Sequence, residues 1–162
     1  MPCPDAPAAP TPWPTPDSLA EAVGRELPPT AWQPVPLAAF REFAALTGDD
    51  QPIHGGGLAA GEPVVAQGAL LVGLAAGLLQ GLYPLPWAER LLQAGYDGLR
   101  IRSPVAAGQR IRLRGRPQRF RPLGGGRYWL ETAARLEREG AGRAALTGRF
   151  LSVIVAGAGN GR

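Results

Sequence analysis

An aspartate and the single histidine of the chain lie five residues apart in a short polar segment, residues 47–54. Pro52 stands between them, and it fixes its own φ while biasing Gln51 toward an extended conformation. We therefore predict a rigid turn that presents Asp49 and His54 to one small volume. Histidine titrates near neutral pH, and burial can shift the pKa of a carboxyl group. Such a pair is suited to adding water to a polarised double bond, or to removing it.

A reaction of this kind on a thioester also needs hydrogen-bond donors for the enolate oxygen. Main-chain N–H groups at a helix N-terminus supply them well. The sequence places such a terminus at residues 66–68, where Gly68 has no side chain to block an acyl carbonyl. Each residue also has a purely structural interpretation: His54 as a cap, Asp49 as a turn residue, and Gly68 as one small residue in a crowded helix.

Composition excludes several other kinds of chemistry. With one cysteine and one histidine, the chain has neither an internal disulfide nor a multi-histidine metal site. All 17 basic residues are arginine, so a Schiff-base or phosphate-loop lysine is excluded. We expect no metal and no cofactor.

The net charge of +4 raises the question of a polyanionic partner. Six arginines occur between residues 110 and 121, and those at 110, 112, 114 and 116 alternate along one predicted strand. Aromatic residues are not interleaved there apart from Phe120, so we expect a solvated strand face and no specific nucleic acid. A subset of these arginines could instead meet the phosphates of coenzyme A.

Residues 64–83 carry no charge over the length of a membrane span. Gln67 and Gln80 interrupt the stretch, and prolines bracket it in place of aromatic and basic anchors. We interpret it as a helix from Val65 to Leu82, buried on all sides. The chain shows no secretory signal, and we expect a cytoplasmic protein.

The remaining elements follow from periodicity. Asp17 or Ser18 is predicted to cap a first helix that runs to Leu27. Further predicted elements are a short strand at 30–35, an amphipathic helix at 36–46, a glycine-rich loop at 54–61 and a short helix at 87–93. Period-two patterns predict four strands at 96–102, 110–116, 128–138 and 143–155, joined by consecutive hairpins.

These elements predict an α+β fold in which one long helix is wrapped by a curved antiparallel sheet. The single domain is predicted to span residues 17–156. Residues 1–16 form a Pro/Ala-rich tail that is predicted to be disordered, and residues 157–162 form a flexible tail.

Three stretches resemble the MaoC-like dehydratase family, which includes (R)-specific enoyl-CoA hydratases and NodN-like proteins. Residues 43–54, FAALTGDDQPIH, resemble the hydratase motif. Residues 63–71, PVVAQGALL, resemble the start of the central helix, and residues 95–108 resemble the following strand with its Pro-Val-x-x-Gly turn. The resemblance covers about residues 18–155.

The resemblance implies a hot-dog fold and a homodimer with the acyl chain and pantetheine along the subunit interface. It makes Asp49 and His54 the catalytic pair that activates water, and it makes Gly68 the residue whose N–H binds the thioester oxygen. Gln51 and Gln67 stand where the family usually has Asn and His, and both are candidates for substrate contact. The loop between His54 and Gly68 is also shorter than is usual in the family.

We therefore expect a lyase that hydrates trans-2-enoyl-CoA or an enoyl acyl-carrier protein to the 3-hydroxyacyl thioester, or runs the reverse dehydration. Two alternatives stay open. One is a catalytically impaired hot-dog protein that binds acyl-CoA or serves as a structural subunit. The other is a hot-dog thioesterase, in which the same pair directs water at the carbonyl carbon.

Overall fold

The computed structural model describes residues 12–55 and 61–157. Within them the helices are α1 (Pro16–Glu21), α2 (Leu37–Thr47), α3 (Pro52–Gly55) and α4 (Gly68–Leu82). The strands are β1 (Gln33–Pro34), β2 (Ala88–Ile101), β3 (Arg110–Gly124), β4 (Arg127–Arg138) and β5 (Leu146–Ala156). The predicted α+β hot-dog arrangement is confirmed, since a curled five-stranded antiparallel sheet packs against the long helix α4.

The order of strands differs from the predicted chain of hairpins. The sheet runs β1-β3-β4-β5-β2, so β2 pairs with β5 and not with the strand that follows it. After β2 the chain passes the start of α4, where Val65 bridges Ala106 in an antiparallel pair. The predicted hairpins β3–β4 and β4–β5 are confirmed. The predicted hairpin between β2 and β3 was wrong, because residues 102–109 carry the chain between the two ends of a curled sheet and not around a tight turn.

Helix α4 contributes the centre of the core, but one of its faces is exposed. Its buried residues lie on one face: Leu71, Ala75, Leu79 and Leu82. They pack against sheet residues that include Leu113, Leu130, Leu136, Phe150 and Ile154. The opposite face carries three glycines that line a groove of ≈ 440 Å³, together with residues of the 30–33 segment. The prediction of a helix buried on all sides was therefore wrong for this chain.

Three local predictions need correction. The first helix is capped by Thr15, whose hydroxyl accepts from the Ser18 N–H, and it ends at Glu21 and not at Leu27. Leu27 instead donates its N–H to the carbonyl of Gly115, because this segment runs along β3. The predicted helix at residues 87–93 is the first half of β2.

The packed domain begins before the predicted boundary at residue 17. Trp13 donates its main-chain N–H to the carbonyl of Pro84, and Trp87 donates its indole N–H to the carbonyl of Trp13. Residues 1–11 and 158–162 of the two predicted tails lie outside the described residues.

A bulge in β2 depends on a glycine in the neighbouring strand. A Cβ added at Gly148 would lie 2.5 Å from Leu99 Cδ2 and 3.0 Å from Leu99 Cα. We expect Gly148→Ala to lower the free energy of unfolding by ~1–3 kcal/mol, because an overpacked site must push backbone atoms apart. Urea unfolding measures this change. Gly142→Ala is the matched control, since no described atom lies within 4 Å of its added Cβ. Equal loss of stability in both variants would contradict the packing at the bulge.

Candidate acid–base site

The acid–base segment begins where α2 ends. Gly48 caps the helix in the left-handed conformation, with φ 76°, and donates its N–H to the carbonyl of Ala44. Thr47 donates its hydroxyl to the carbonyl of Phe43 at 2.7 Å, and its oxygen accepts the N–H of Asp49 at 3.4 Å. The chain therefore reverses direction immediately before Asp49, as the glycine stop predicted.

His54 lies in the short helix α3, whereas the sequence predicted a loop from this residue onward. The turn forms because the His54 N–H reaches the carbonyl of Gln51 at 2.8 Å. The side chain is buried, and its Nδ1 lies 2.7 Å from the carbonyl oxygen of Val65. A carbonyl oxygen can only accept, so Nδ1 carries the proton, and in the neutral ring the lone pair lies on Nε2.

Asp49 faces this lone pair. Its Oδ2 lies 3.9 Å from His54 Nε2, and its other oxygen, Oδ1, accepts a 3.3 Å hydrogen bond from the side chain of Gln51. The 3.9 Å separation is too long for a direct hydrogen bond. A water oxygen at a hydrogen-bond distance of about 2.8 Å from both atoms fits this geometry. The structure thus brings Asp49, Gln51 and His54 together.

Gly68 opens α4, so its N–H belongs to the first helical turn, whose N–H groups have no partner within the helix. The first turn contains no acidic residue, and the helix dipole favours a developing negative charge there. Ile101 lies close by, because a Cβ added at Gly68 would come within 3.3 Å of its Cγ1. The helix starts later than the predicted Val65, because residues 64–66 are extended and hydrogen-bonded to residues 105–107.

Gln67, a predicted substrate contact, lies next to the acid–base segment. Its side chain is fully buried, and its Nε2 donates to the carbonyl of Phe40 at 3.0 Å and to the carbonyl of Asp49 at 3.4 Å. The amide nitrogen is therefore engaged within the protein, between α2 and the acid–base segment.

Val65 is a site residue that the sequence did not reveal. Its carbonyl binds the histidine ring and its N–H donates to the carbonyl of Ile53 at 2.9 Å. Both groups belong to the main chain, so no side-chain type at position 65 signals the contact. The only available signal was the proximity in sequence to Gly68.

The arginine-rich strand lies outside this site and is partly neutralised. Four of its six arginines, Arg110, Arg112, Arg114 and Arg119, lie within 4.0 Å of glutamate oxygens on β4 and at Glu139. Partial burial alone would raise the pKa of Glu137, but its hydrogen bonds from Arg112 and Arg114 outweigh burial and hold the pKa below its usual value. This pairing supports the interpretation of a solvated strand face.

The described residues contain neither a membrane-spanning helix nor a cluster of side chains suited to a metal ion. No helix in residues 12–55 and 61–157 is long and apolar enough to cross a membrane. In the same ranges no three His, Cys, Asp or Glu side chains are grouped as they would be around a metal ion. The absence of a cofactor stays a prediction.

Several solved structures have a fold similar to that of this chain. No model of a protein family matches the sequence, and no curated protein matches it. An (R)-hydratase from A. caviae involved in PHA biosynthesis is similar with 25% identity and a TM-score of 0.63, over 82% of this chain and 96% of that one. A MaoC-like dehydratase from Rhodospirillum rubrum is similar with 20% identity and a TM-score of 0.66, over 85% and 94%. The R-hydratase PhaJ1 from Pseudomonas aeruginosa, in its unliganded form, is similar with 20% identity and a TM-score of 0.64, over 83% of each chain.

Proposed function

We propose that this chain, which has the hot-dog fold of the MaoC-like dehydratases and (R)-hydratases, is a hydratase that adds water to a trans-2-enoyl thioester. The observation that carries the proposal is the 3.9 Å gap between His54 Nε2 and Asp49 Oδ2. The Nε2 lone pair and the Asp49 carboxylate lie on either side of this gap and face the same position between them. The main chain of Asp49 is tied to Gln67, the residue before the N-terminus of α4.

The reaction balances with these groups alone. One member of the pair accepts a proton from water as the water oxygen bonds to C3 of the enoyl thioester. The C2–C3 π electrons move toward the thioester carbonyl, and the resulting enolate oxygen accepts a hydrogen bond from the Gly68 N–H. The proton taken from water then reaches C2 through the other member of the pair. Water thus supplies both the hydroxyl at C3 and the proton at C2, and both side chains return to their starting state.

The apolar surroundings support an acyl thioester as substrate. Helix α4 carries no charged residue over Gly68–Leu82. The side chain of Ile101 lies next to Gly68, the first residue of the helix. Coenzyme A or the pantetheine of a carrier protein would then be part of the substrate and not a resident cofactor. Because such a site excludes water, its low dielectric strengthens the hydrogen bond to the enolate oxygen.

The exposed edge of β2 supports a homodimer. In the described part of the chain β2 pairs on one side only, and it exposes Leu92, Tyr96 and Ile101. A long edge strand with exposed apolar side chains is a template for pairing with another chain. A second copy along β2 would stand next to the first residue of α4, because Ile101 packs there. Sedimentation should give twice the mass of the chain, and a monomer at micromolar concentration would contradict the dimer.

The hydratase proposal is tested on purified wild-type protein with short trans-2-enoyl thioesters of coenzyme A. The conjugated enoyl thioester loses its absorbance when water adds across the double bond. Hydration that saturates with substrate supports the proposal. Saturable binding without turnover supports an acyl-CoA-binding or structural protein, and release of free coenzyme A supports a thioesterase. Either result would contradict a hydratase.

A further inference from the structure

Gln67 is the most deeply buried polar side chain near the acid–base site. It is the N-cap residue of α4 and has 0% exposure. Its amide nitrogen lies 3.0 Å from the carbonyl oxygen of Phe40 and 3.4 Å from that of Asp49. Both carbonyls can only accept, so the amide must direct its NH₂ group toward them. One primary amide nitrogen has two N–H bonds, which matches the two acceptors.

The residues around Gln67 hold the other half of the site. Val65 binds the His54 ring through its carbonyl and the main chain of Ile53 through its N–H. The N–H of Ala66 reaches the carbonyl of Val105 at 2.8 Å, which fixes the segment to the body of the domain. We call residues 65–68 the anchor segment. It contacts the histidine, contacts the aspartate and supplies the first N–H of α4.

We propose that Gln67 is a positioning residue, whose two amide N–H groups set the place of the Asp49 carboxylate relative to His54 Nε2 and the Gly68 N–H. The inference rests on the proposed function, because it assigns Gln67 a part in the same site. Gln67 acts through the main chain of Asp49 and does not touch the reacting atoms.

The physical reason lies in how Asp49 is attached. The preceding residue, Gly48, is in the left-handed conformation, and the Asp49 N–H has only a 3.4 Å contact with the hydroxyl of Thr47. The carbonyl contact with Gln67 is thus a second restraint on the main chain of this residue, from a different part of the fold. A displacement of about 1 Å in a reacting group can cost ~10²-fold in rate.

The test compares Gln67→Met with Gln80→Met. Methionine fills a similar volume without an N–H donor, and Gln80 is an exposed residue of the same helix. We expect Gln67→Met to lower kcat for enoyl-CoA hydration by ~10–100-fold while KM changes by less than about threefold, since misplacement affects the transition state more than binding. Gln80→Met should match wild type. Wild-type kcat in Gln67→Met would overturn the proposal.

A double-mutant cycle separates positioning from general structural support. If Gln67 acts through Asp49, adding Gln67→Met to Asp49→Asn should cost less than about threefold, although the same change is costly in wild type. Full additivity of the two losses would overturn the proposal. Should Gln67→Met fail to fold, Gln67→Asn replaces it in the cycle, because its shorter amide keeps polarity but cannot reach both carbonyls.

A readout without turnover keeps the proposal testable apart from the reaction. Amide hydrogen exchange over residues 48–54 should be faster in Gln67→Met than in Gln80→Met, because the loop loses its tie to the anchor segment. If wild type hydrates no enoyl thioester, the proposed function fails. The difference in hydrogen exchange between the two variants still tests whether Gln67 restrains residues 48–54. Unchanged exchange in Gln67→Met would show that Gln67 does not hold the loop and would overturn the inference.

Discussion

Asp49→Asn is expected to lower kcat/KM for enoyl-CoA hydration by at least ~10²-fold, the usual scale for loss of a general acid or base. Asparagine keeps the size of the side chain. It can still accept the hydrogen bond from the amide of Gln51, which contacts Oδ1 of Asp49 in the wild-type protein. It cannot take up or deliver a proton opposite His54 Nε2. The loss should therefore appear in kcat with little change in folding stability.

Asp50→Asn is the matched control for this variant. Asp50 is the next residue in the same loop and is exposed. The substitution makes the same change, from a carboxylate oxygen to an amide nitrogen. We expect its kcat/KM to stay within about threefold of wild type, because an exposed charge outside the site alters the rate weakly. Equal losses in the two variants would mean that loop charge and not the Asp49 carboxylate matters. Equal retention of activity would remove Asp49 from the catalytic pair.

His54→Asn is expected to lose activity on the same scale while the domain stays folded. The asparagine NH₂ group can take the place of Nδ1–H and donate to the carbonyl of Val65, which now accepts at 2.7 Å. No atom of asparagine replaces Nε2, so the proton acceptor opposite Asp49 is lost. We expect at least a ~10²-fold fall in kcat/KM, with a change in the free energy of unfolding of no more than about 1 kcal/mol.

His54→Gln gives the complementary control. Glutamine places its amide near the position of Nε2, but an amide does not act as a general acid or base at neutral pH. Both variants should be inactive if proton transfer at Nε2 is the function of this residue. Activity in His54→Gln close to wild type would show that a hydrogen bond at that position is sufficient, and the acid–base role of His54 would then be wrong.

Local signals in the sequence predicted the start of the site well. Gly48 ends α2 because a glycine accepts the left-handed conformation without strain, and φ is 76° as this requires. Pro52 predicted a turn between Asp49 and His54, and the turn is the short helix α3. The proximity of the two side chains follows from these residues alone.

Nonlocal pairing decided what the sequence could not predict. Apolar residues flank Val65 in the sequence and continue the pattern of a helix. Val65 is nevertheless extended, because it bridges Ala106. The first half of β2 was predicted as a helix because residues 87–93 lack period-two alternation. The predicted partner of β2 was also wrong, since alternation defines the buried face of a strand but not its neighbouring strand in the sheet.

The roles of the side chains in the site were harder to predict than their location. Gln67 was a candidate for substrate contact, and its burial against the carbonyls of Phe40 and Asp49 became visible only in three dimensions. The tautomer of His54 depends on a main-chain carbonyl 11 residues away, and a side-chain pattern cannot encode that acceptor. Spacing predicts which residues meet, whereas the fold determines which atoms face each other.

The most direct test of the hydratase assignment is the product that wild-type protein forms from a short trans-2-enoyl-CoA. Mass spectrometry of the thioester and of free coenzyme A, on the same sample, distinguishes the possible outcomes. We expect an intact thioester that has gained one water, formed at a rate that falls sharply in Asp49→Asn and persists in Asp50→Asn. Unchanged enoyl-CoA, or free coenzyme A with a carboxylic acid, would contradict it.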